Sequence, residues 1–491
     1  MKAKQLLSLS ILSALCLNIL SGCGGTDSPA QDTAPGSSDT TVNDTTSEAY
    51  VYLDKTYGGY EFRIFNIHNM WECYMNLDLD SLTGDVVDDA VYNRNRLVEQ
   101  KLDIKIKEMA VEYPGYGNVP GLINTIQQSI LANDDEYDAA YLPIGFSPSI
   151  ITEGYLVDLN TIPELNLDSE WWDTTLNNAL EINNKLYAAT SPLHLMSLDM
   201  SWVLFFNKSI FDDNKLEYPY ELVRSGEWTL DKMNEYVSAI TSLNGDDSFT
   251  YSESGNAIYG VAGHTSAPIA LTFSSGNTII SSGKTPEFIA DNERLYNTID
   301  KCISLLSVSD GHCRFDNSGI STPGSYYHLF VNDRAGFLTA ELKSSLVMRD
   351  MKSEYGILPM PKLDAEQSEY VSYTTDTICR LTVPITNTDL SRTGTILDAL
   401  SYESCKSVLP VYYDKAISQK GLRDDDSIEM LDLINSTRMC EMGMIYGITN
   451  EFFGKLCGMV TGGENTMASA IATYSNAINE NLSTLMEFYN N

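Results

Sequence analysis

Chemistry that depends on a few fixed residues is hard to find in this sequence. Five histidines, His68, His194, His264, His312 and His328, stand at no spacing that would let two of them share a metal ion. No His-Glu-x-x-His, Cys-x-x-Cys or Gly-x-Ser-x-Gly pattern occurs. Gly276 to Gly283-Lys284-Thr285 has the glycines and lysine of a phosphate loop, but six residues separate the glycines where four are needed. Adjacent carboxylates such as Asp212-Asp213 and Asp424-Asp425-Asp426 are what 67 acidic residues produce without catalytic purpose, and such runs read as solvated faces. A glycosidase needs two carboxylates of unequal acidity, and nothing here ranks one above another. No catalytic residue, metal site or cofactor is therefore assigned.

Composition narrows the class. The 491 residues carry 67 acids against 31 bases, a formal charge of −36, which argues against a nucleic-acid partner and against a basic membrane-binding face. With 43% apolar residues the chain is globular, and its length predicts two lobes or more. Aromatic side chains are plentiful, with 29 Tyr, 15 Phe and 5 Trp.

The first residues predict export. Lys2 and Lys4 precede an uncharged apolar stretch from Leu6 to Leu20, so 1–22 reads as a signal peptide, too short to span a membrane convincingly. Leu20-Ser21-Gly22-Cys23 resembles the lipobox of bacterial lipoproteins, which makes Cys23 the acylated first residue of a mature chain held at the extracellular face of the cell membrane. Residues 24–48 are almost wholly small and polar and read as a flexible tether. Seven cysteines remain in the body, an odd number. Cys302 with Cys313 and Cys440 with Cys457 could bridge, but buried free thiols are the expected state.

The body begins with a strand-like run from Tyr60 to Ile67, a helical face of Val87, Ala90, Val91, Leu97 and Val98, and an alternating strand from Leu102 to Met109. Leu122, Ile123, Ile126 and Ile130 then share one helix face, and Ala139 to Leu142 forms a short buried strand. Alternation of this kind predicts an α/β unit with a mostly parallel sheet, which presents ligand-binding loops beyond the carboxyl ends of its strands. A second α/β region follows. It has the apolar run from Trp202 to Phe206, a helix starting at Thr229, strands at Tyr259 to Val261 and Gly336 to Leu338, and a strand running into a loop from Tyr355 to Pro361. Helical patterns fill the remainder, notably Ile396, Leu397 and Leu400, then Met467 to Tyr489.

Taken in order, several segments resemble the family 1 extracellular solute-binding proteins of ABC importers. These are Leu156-Val157-Asp158-Leu159-Asn160, Ile162-Pro163-Glu164-Leu165, Trp171-Trp172, Asn184-Lys185-Leu186-Tyr187, Phe205-Phe206-Asn207-Lys208, Glu227-Trp228-Thr229 and Tyr355-Gly356-Ile357-Leu358-Pro359. The resemblance implies a two-lobed periplasmic-binding-protein-like fold of type II, with mostly parallel sheets flanked by helices and a ligand cleft between the lobes. It divides the body into lobe 1 at 49–195, lobe 2 at 196–372, a return to lobe 1 at 373–408, and a helical part at 409–491 packing mainly on lobe 2. It also implies a monomer that captures a small solute, by preference a sugar or oligosaccharide, and hands it to ABC permease subunits.

A sugar ring offers an apolar face to an aromatic side chain and hydroxyls to carboxylates and amides. On that logic Trp71, just past the first strand, is expected as a stacking platform, and the family resemblance implies Asp199, in the first crossing, as a cleft carboxylate. Trp202 is expected either in the core or in the cleft, and the resemblance implies Asn277 and Glu341 as contacts from lobe 2. A secreted polysaccharide-acting enzyme and a ligand-sensing subunit of a signalling system are the competing classes.

Overall fold

The computed structural model describes residues 50–490 except 53, 282–284, 320–321, 323, 418–421 and 423. The expected signal peptide at 1–22, Cys23, the tether at 24–48 and the Gly283-Lys284 pair lie outside the described residues.

Lobe 1 is built on β1 (Tyr60–His68), α1 (Val86–Leu102), β2 (Ile104–Glu112), α2 (Val119–Leu131) and β3 (Ala139–Leu142). β1 lies between β2 and β3, parallel to both. Helix α1 starts because the Asp85 side chain accepts the Val87 and Asp88 N–H groups, and it buries Val87, Val91, Val98 and Leu102 as one stripe. Leu102 is its last residue and Asp103 turns left-handed at φ 49°. The strand expected from Leu102 therefore begins at Ile104 and runs on to Glu112.

Lobe 2 contains β4 (Trp202–Asn207), α3 (Leu230–Ile240), β5 (Tyr259–His264), α4 (Ala267–Ser274), α5 (Glu293–Leu305), β6 (Cys313–Asp316), α6 (Tyr326–Val331), β7 (Ala335–Glu341) and β8 (Tyr355–Leu358). The sheet order is β6-β5-β7-β4-β8. β5 is parallel to β6 and β7, whereas β4 runs antiparallel to β7 and β8. Every residue of β4 is buried, which explains its unbroken apolar sequence up to Asn207. β8 fits beside it only because Gly356 has no side chain: a Cβ there would enter the Phe206 ring and the Tyr220 hydroxyl.

The chain returns through β9 (Ser372–Tyr373) and β10 (Arg380–Thr382); β10 adds to lobe 1 antiparallel to β3. Then come α7 (Leu390–Glu403), α8 (Leu409–Ile417), α9 (Asp425–Ser436), β11 (Arg438–Met439), α10 (Asn450–Gly462) and α11 (Met467–Asn490). Helices α7 and α8 pack on α1, α9 packs on β8, and α10 packs on α4 and α5. Three segments lie side by side at the waist between the lobes. Thr375 N–H donates to the Met200 carbonyl at 3.1 Å, and Ser372 and Thr374 N–H donate to Thr437 and Met439 at 2.9 and 2.7 Å. All seven cysteines of the body are free thiols, five of them buried. No described helix is long and apolar enough to cross a membrane.

Candidate functional site

In lobe 1 the carboxyl ends of the parallel strands lead into aromatic residues. β1 leads to Trp71, β2 to Tyr113, and β3 to Phe146. The Trp71 ring meets Tyr113 and Phe146 at 6.1 Å each, Phe146 meets Tyr116 at 4.9 Å, and the Trp71 indole N–H donates to the Tyr113 hydroxyl at 3.2 Å. The inner three rings are half-buried and Tyr116 is exposed, so a connected run of ring surface extends outward from the lobe.

The Trp71 loop is held in a demanding conformation. Asn69, Trp71 and Glu72 all have left-handed φ values, 56°, 56° and 61°, a region that costs a non-glycine residue about 1 kcal/mol or more. Glu108 on β2 anchors both ends of this loop: its carboxylate accepts from Asn66 at 2.7 Å, Leu77 N–H at 3.1 Å and Asp78 N–H at 3.0 Å, and pairs with His68 at 2.6 Å. Burial pushes the Glu108 carboxyl up, but these donors outweigh it and its pKa falls below the ordinary value. The same contact, with burial opposing it, raises His68. Buried Arg94 donates to the Leu77 carbonyl at 2.7 Å and to Ser404 Oγ at 2.8 Å, tying the loop to the turn between α7 and α8.

At the waist, Asp199 ends a short helix, Met196–Asp199, just before β4. It is fully buried, and its carboxylate accepts Tyr74 N–H at 2.6 Å and the Tyr412 hydroxyl at 2.5 Å. Burial raises its pKa against those two bonds. Trp202 is 3% exposed, and its indole N–H donates to Thr375 Oγ1 at 3.1 Å, across the two crossing segments.

In lobe 2 the parallel strands end in titratable side chains: His264 closes β5, Asp316 closes β6 and Glu341 closes β7. Asp316 accepts from Ser318 N–H at 2.7 Å, Tyr326 N–H at 2.9 Å and Arg314 at 3.0 Å. His264 Nδ1 accepts from Ser266 N–H at 3.1 Å, which leaves the neutral ring's proton on Nε2. Burial lowers the His264 pKa, against the pull of Glu341 and Asp316. Glu341 pairs across the sheet with Trp202, and among the described residues nothing donates a hydrogen bond to its carboxylate. Two residues on, Lys343 donates its N–H to the Asp199 carbonyl at 3.1 Å and its ammonium to the Trp71 carbonyl of lobe 1.

Four of the five expected residues thus gather at one seam. Trp71 faces it from lobe 1 and Glu341 from lobe 2, while Asp199 and Trp202 lie beneath as supports. Asn277 sits elsewhere, 4% exposed, its amide donating to the Thr272 carbonyl at 3.0 Å and Thr298 Oγ1 at 2.9 Å, where it joins α4 to α5. Sequence reading missed Tyr113, Tyr116, Phe146, His264, Asp316 and Lys343. Four of them, Tyr113, His264, Asp316 and Lys343, stand at or within two residues of a strand's carboxyl end, a position that the strand pattern alone could have flagged. A hollow of about 320 Å³ lined by Lys215, Tyr218, Lys232 and Tyr236 lies beyond the Asn207 end of β4, at the opposite end of the lobe 2 sheet from Glu341.

No family model matches the chain, and no curated protein sequence matches it. Solved structures do. A cyclic alpha-maltosyl-1,6-maltose binding protein from Arthrobacter globiformis superimposes with a TM-score of 0.57 at 14% identity, over 87% of this chain and 99% of that one. A sugar transporter from Rhizobium etli in an open conformation gives 0.56 at 16%, over 85% and 99%. An ABC substrate-binding protein from Listeria monocytogenes in complex with cycloalternan gives 0.54 at 14%, over 87% and 99%. The chain has the two-lobed α/β fold of solute-binding proteins. The resemblance read from the segments between Leu156 and Pro359 thus extends to the three-dimensional fold.

Proposed function

We propose that this chain is the solute-binding component of an ABC importer and that it takes a sugar or oligosaccharide between its lobes, as a binding protein and not an enzyme. The observation that carries the reading is the contrast across the seam. Lobe 1 presents connected aromatic rings, and lobe 2 presents His264 and Glu341, whose carboxylate has no donor among the described residues. A pyranose has the complementary two sides, an apolar face for a ring and hydroxyls for a carboxylate or imidazole. A solute touching both lobes binds the closed arrangement better than the open one and shifts the population toward it, which is what a permease can recognise. Acylation at Cys23 would hold the monomeric protein at the extracellular face of the membrane, with the segment to residue 48 as its tether.

A thermal-shift screen of mono- and oligosaccharides tests this. At least one sugar is expected to raise the melting temperature, since a ligand present at 100 times its Kd stabilises the native state by about 2.7 kcal/mol. Trp71→Ala should then weaken that sugar by about tenfold or more, the worth of one stacked ring. Stabilisation only by amino acids, peptides or polyamines would remove the carbohydrate reading, and cleavage of a glycan on incubation would remove the non-enzymatic one.

A further inference from the structure

The charges at the seam do not cancel. Asp316 is matched by Arg314 at 3.0 Å. The buried Asp199 carboxylate and the Lys343 ammonium lie close enough to influence one another, and that ammonium, on a residue 8% exposed, is already given to the Trp71 carbonyl. His264 is neutral near pH 7, because burial holds its pKa below the ordinary value. Glu341 is left over. Its carboxylate is partly exposed, accepts nothing from the described residues, and is felt by His264 and Tyr326 of lobe 2 and by Cys73 in the Trp71 loop of lobe 1. Its negative charge therefore lies where the two lobes meet.

We propose that the site admits neutral and basic solutes and rejects anionic ones, and that Glu341 sets this selection. The proposal rests on the binding-protein reading but not on the ligand being a sugar. An anion drawn between the lobes is brought against the Glu341 carboxylate, while the Lys343 ammonium is bonded to the Trp71 carbonyl. In a partly desolvated cleft such like-charge contact lowers affinity by about tenfold or more. A hydroxyl or an ammonium in the same place supplies the donor that Glu341 lacks.

The test is a titration panel on the wild type and on Glu341→Gln, which keeps shape and removes charge. Common di- and trisaccharides are offered in three forms each: neutral, with one amino sugar, and with one uronic acid. Glutamine-, lysine- and glutamate-containing dipeptides run alongside. The expected result is that uronates bind at least about tenfold more weakly than their neutral parents, and that Glu341→Gln narrows this ratio by about tenfold while melting like the wild type. A uronate equal to its parent in the wild type overturns the proposal, as does an unchanged ratio in the variant. If only dipeptides bind, the sugar reading fails while the charge rule is judged on them, and a glutamate peptide binding as well as its glutamine counterpart overturns it. Binding of nothing in the panel overturns both.

Discussion

Replacing Asp199 by Ala separates support of the site from contact with the solute. The side chain is fully buried and satisfies two donors that have no other partner among the described residues: Tyr74 N–H, three residues after Trp71, and the Tyr412 hydroxyl on α8. Alanine leaves both unsatisfied in the interior. Each costs about 1–3 kcal/mol, so the variant should lose about 2–6 kcal/mol, which in a chain of this size is about 2–7 °C in melting temperature. Asp199→Asn keeps one acceptor and removes a charge that burial disfavours, so its loss should be about 1–2 kcal/mol. Urea unfolding followed by tryptophan fluorescence measures both, and ligand titration of the folded variants measures the rest. Affinity should fall in Asp199→Ala because the Trp71 loop is released, and largely recover in Asp199→Asn. An alanine variant as stable as the wild type, or an asparagine variant as unstable as the alanine one, would refute the role given to this carboxylate.

Two further outcomes are expected of the fold. His194 is 3% exposed and stacked on Tyr141 at 4.6 Å; burial lowers its pKa to about 4. The unfolded chain therefore protonates first, and stability contributed by the neutral ring is lost as pH falls from about 6.5 toward 4, by at most about 3 kcal/mol. Melting curves across that window should flatten in His194→Gln relative to wild type, and identical pH dependence in the two would count against the assignment. Gly356→Ala should cost about 1–3 kcal/mol in urea unfolding, because its new methyl group enters the Phe206 ring and the Tyr220 hydroxyl. An unchanged midpoint would mean β8 can move away from β4.

Much of the architecture was legible where the hydrophobic period was clean. Val87, Val91 and Val98 mark one face of α1, and the apolar run of β4 marks a strand covered on both sides. Strand direction was not legible: β4 runs against both neighbours because it enters lobe 2 from the waist, and nothing local in Trp202–Asn207 records that. Short strands such as β9 and β11 were missed because two residues carry no period. Trp71 and Glu341 stood out by their place after or at the end of a readable strand. Tyr113 and His264 had equal claims but no distinctive type in a chain rich in aromatics. Asn277 was misleading for the opposite reason: a polar residue after glycine looks like a loop, yet its amide bridges two helices. Asp199 shows the same limit, since only coordinates reveal that both of its oxygens are already engaged.

The three segments bonded side by side at the waist have a mechanical consequence. A single connecting strand would let one lobe swivel freely on the other. A ribbon three segments wide resists twist and leaves bending about one line as its soft motion. A closing motion confined to that line would bring the same surfaces of the two lobes together each time.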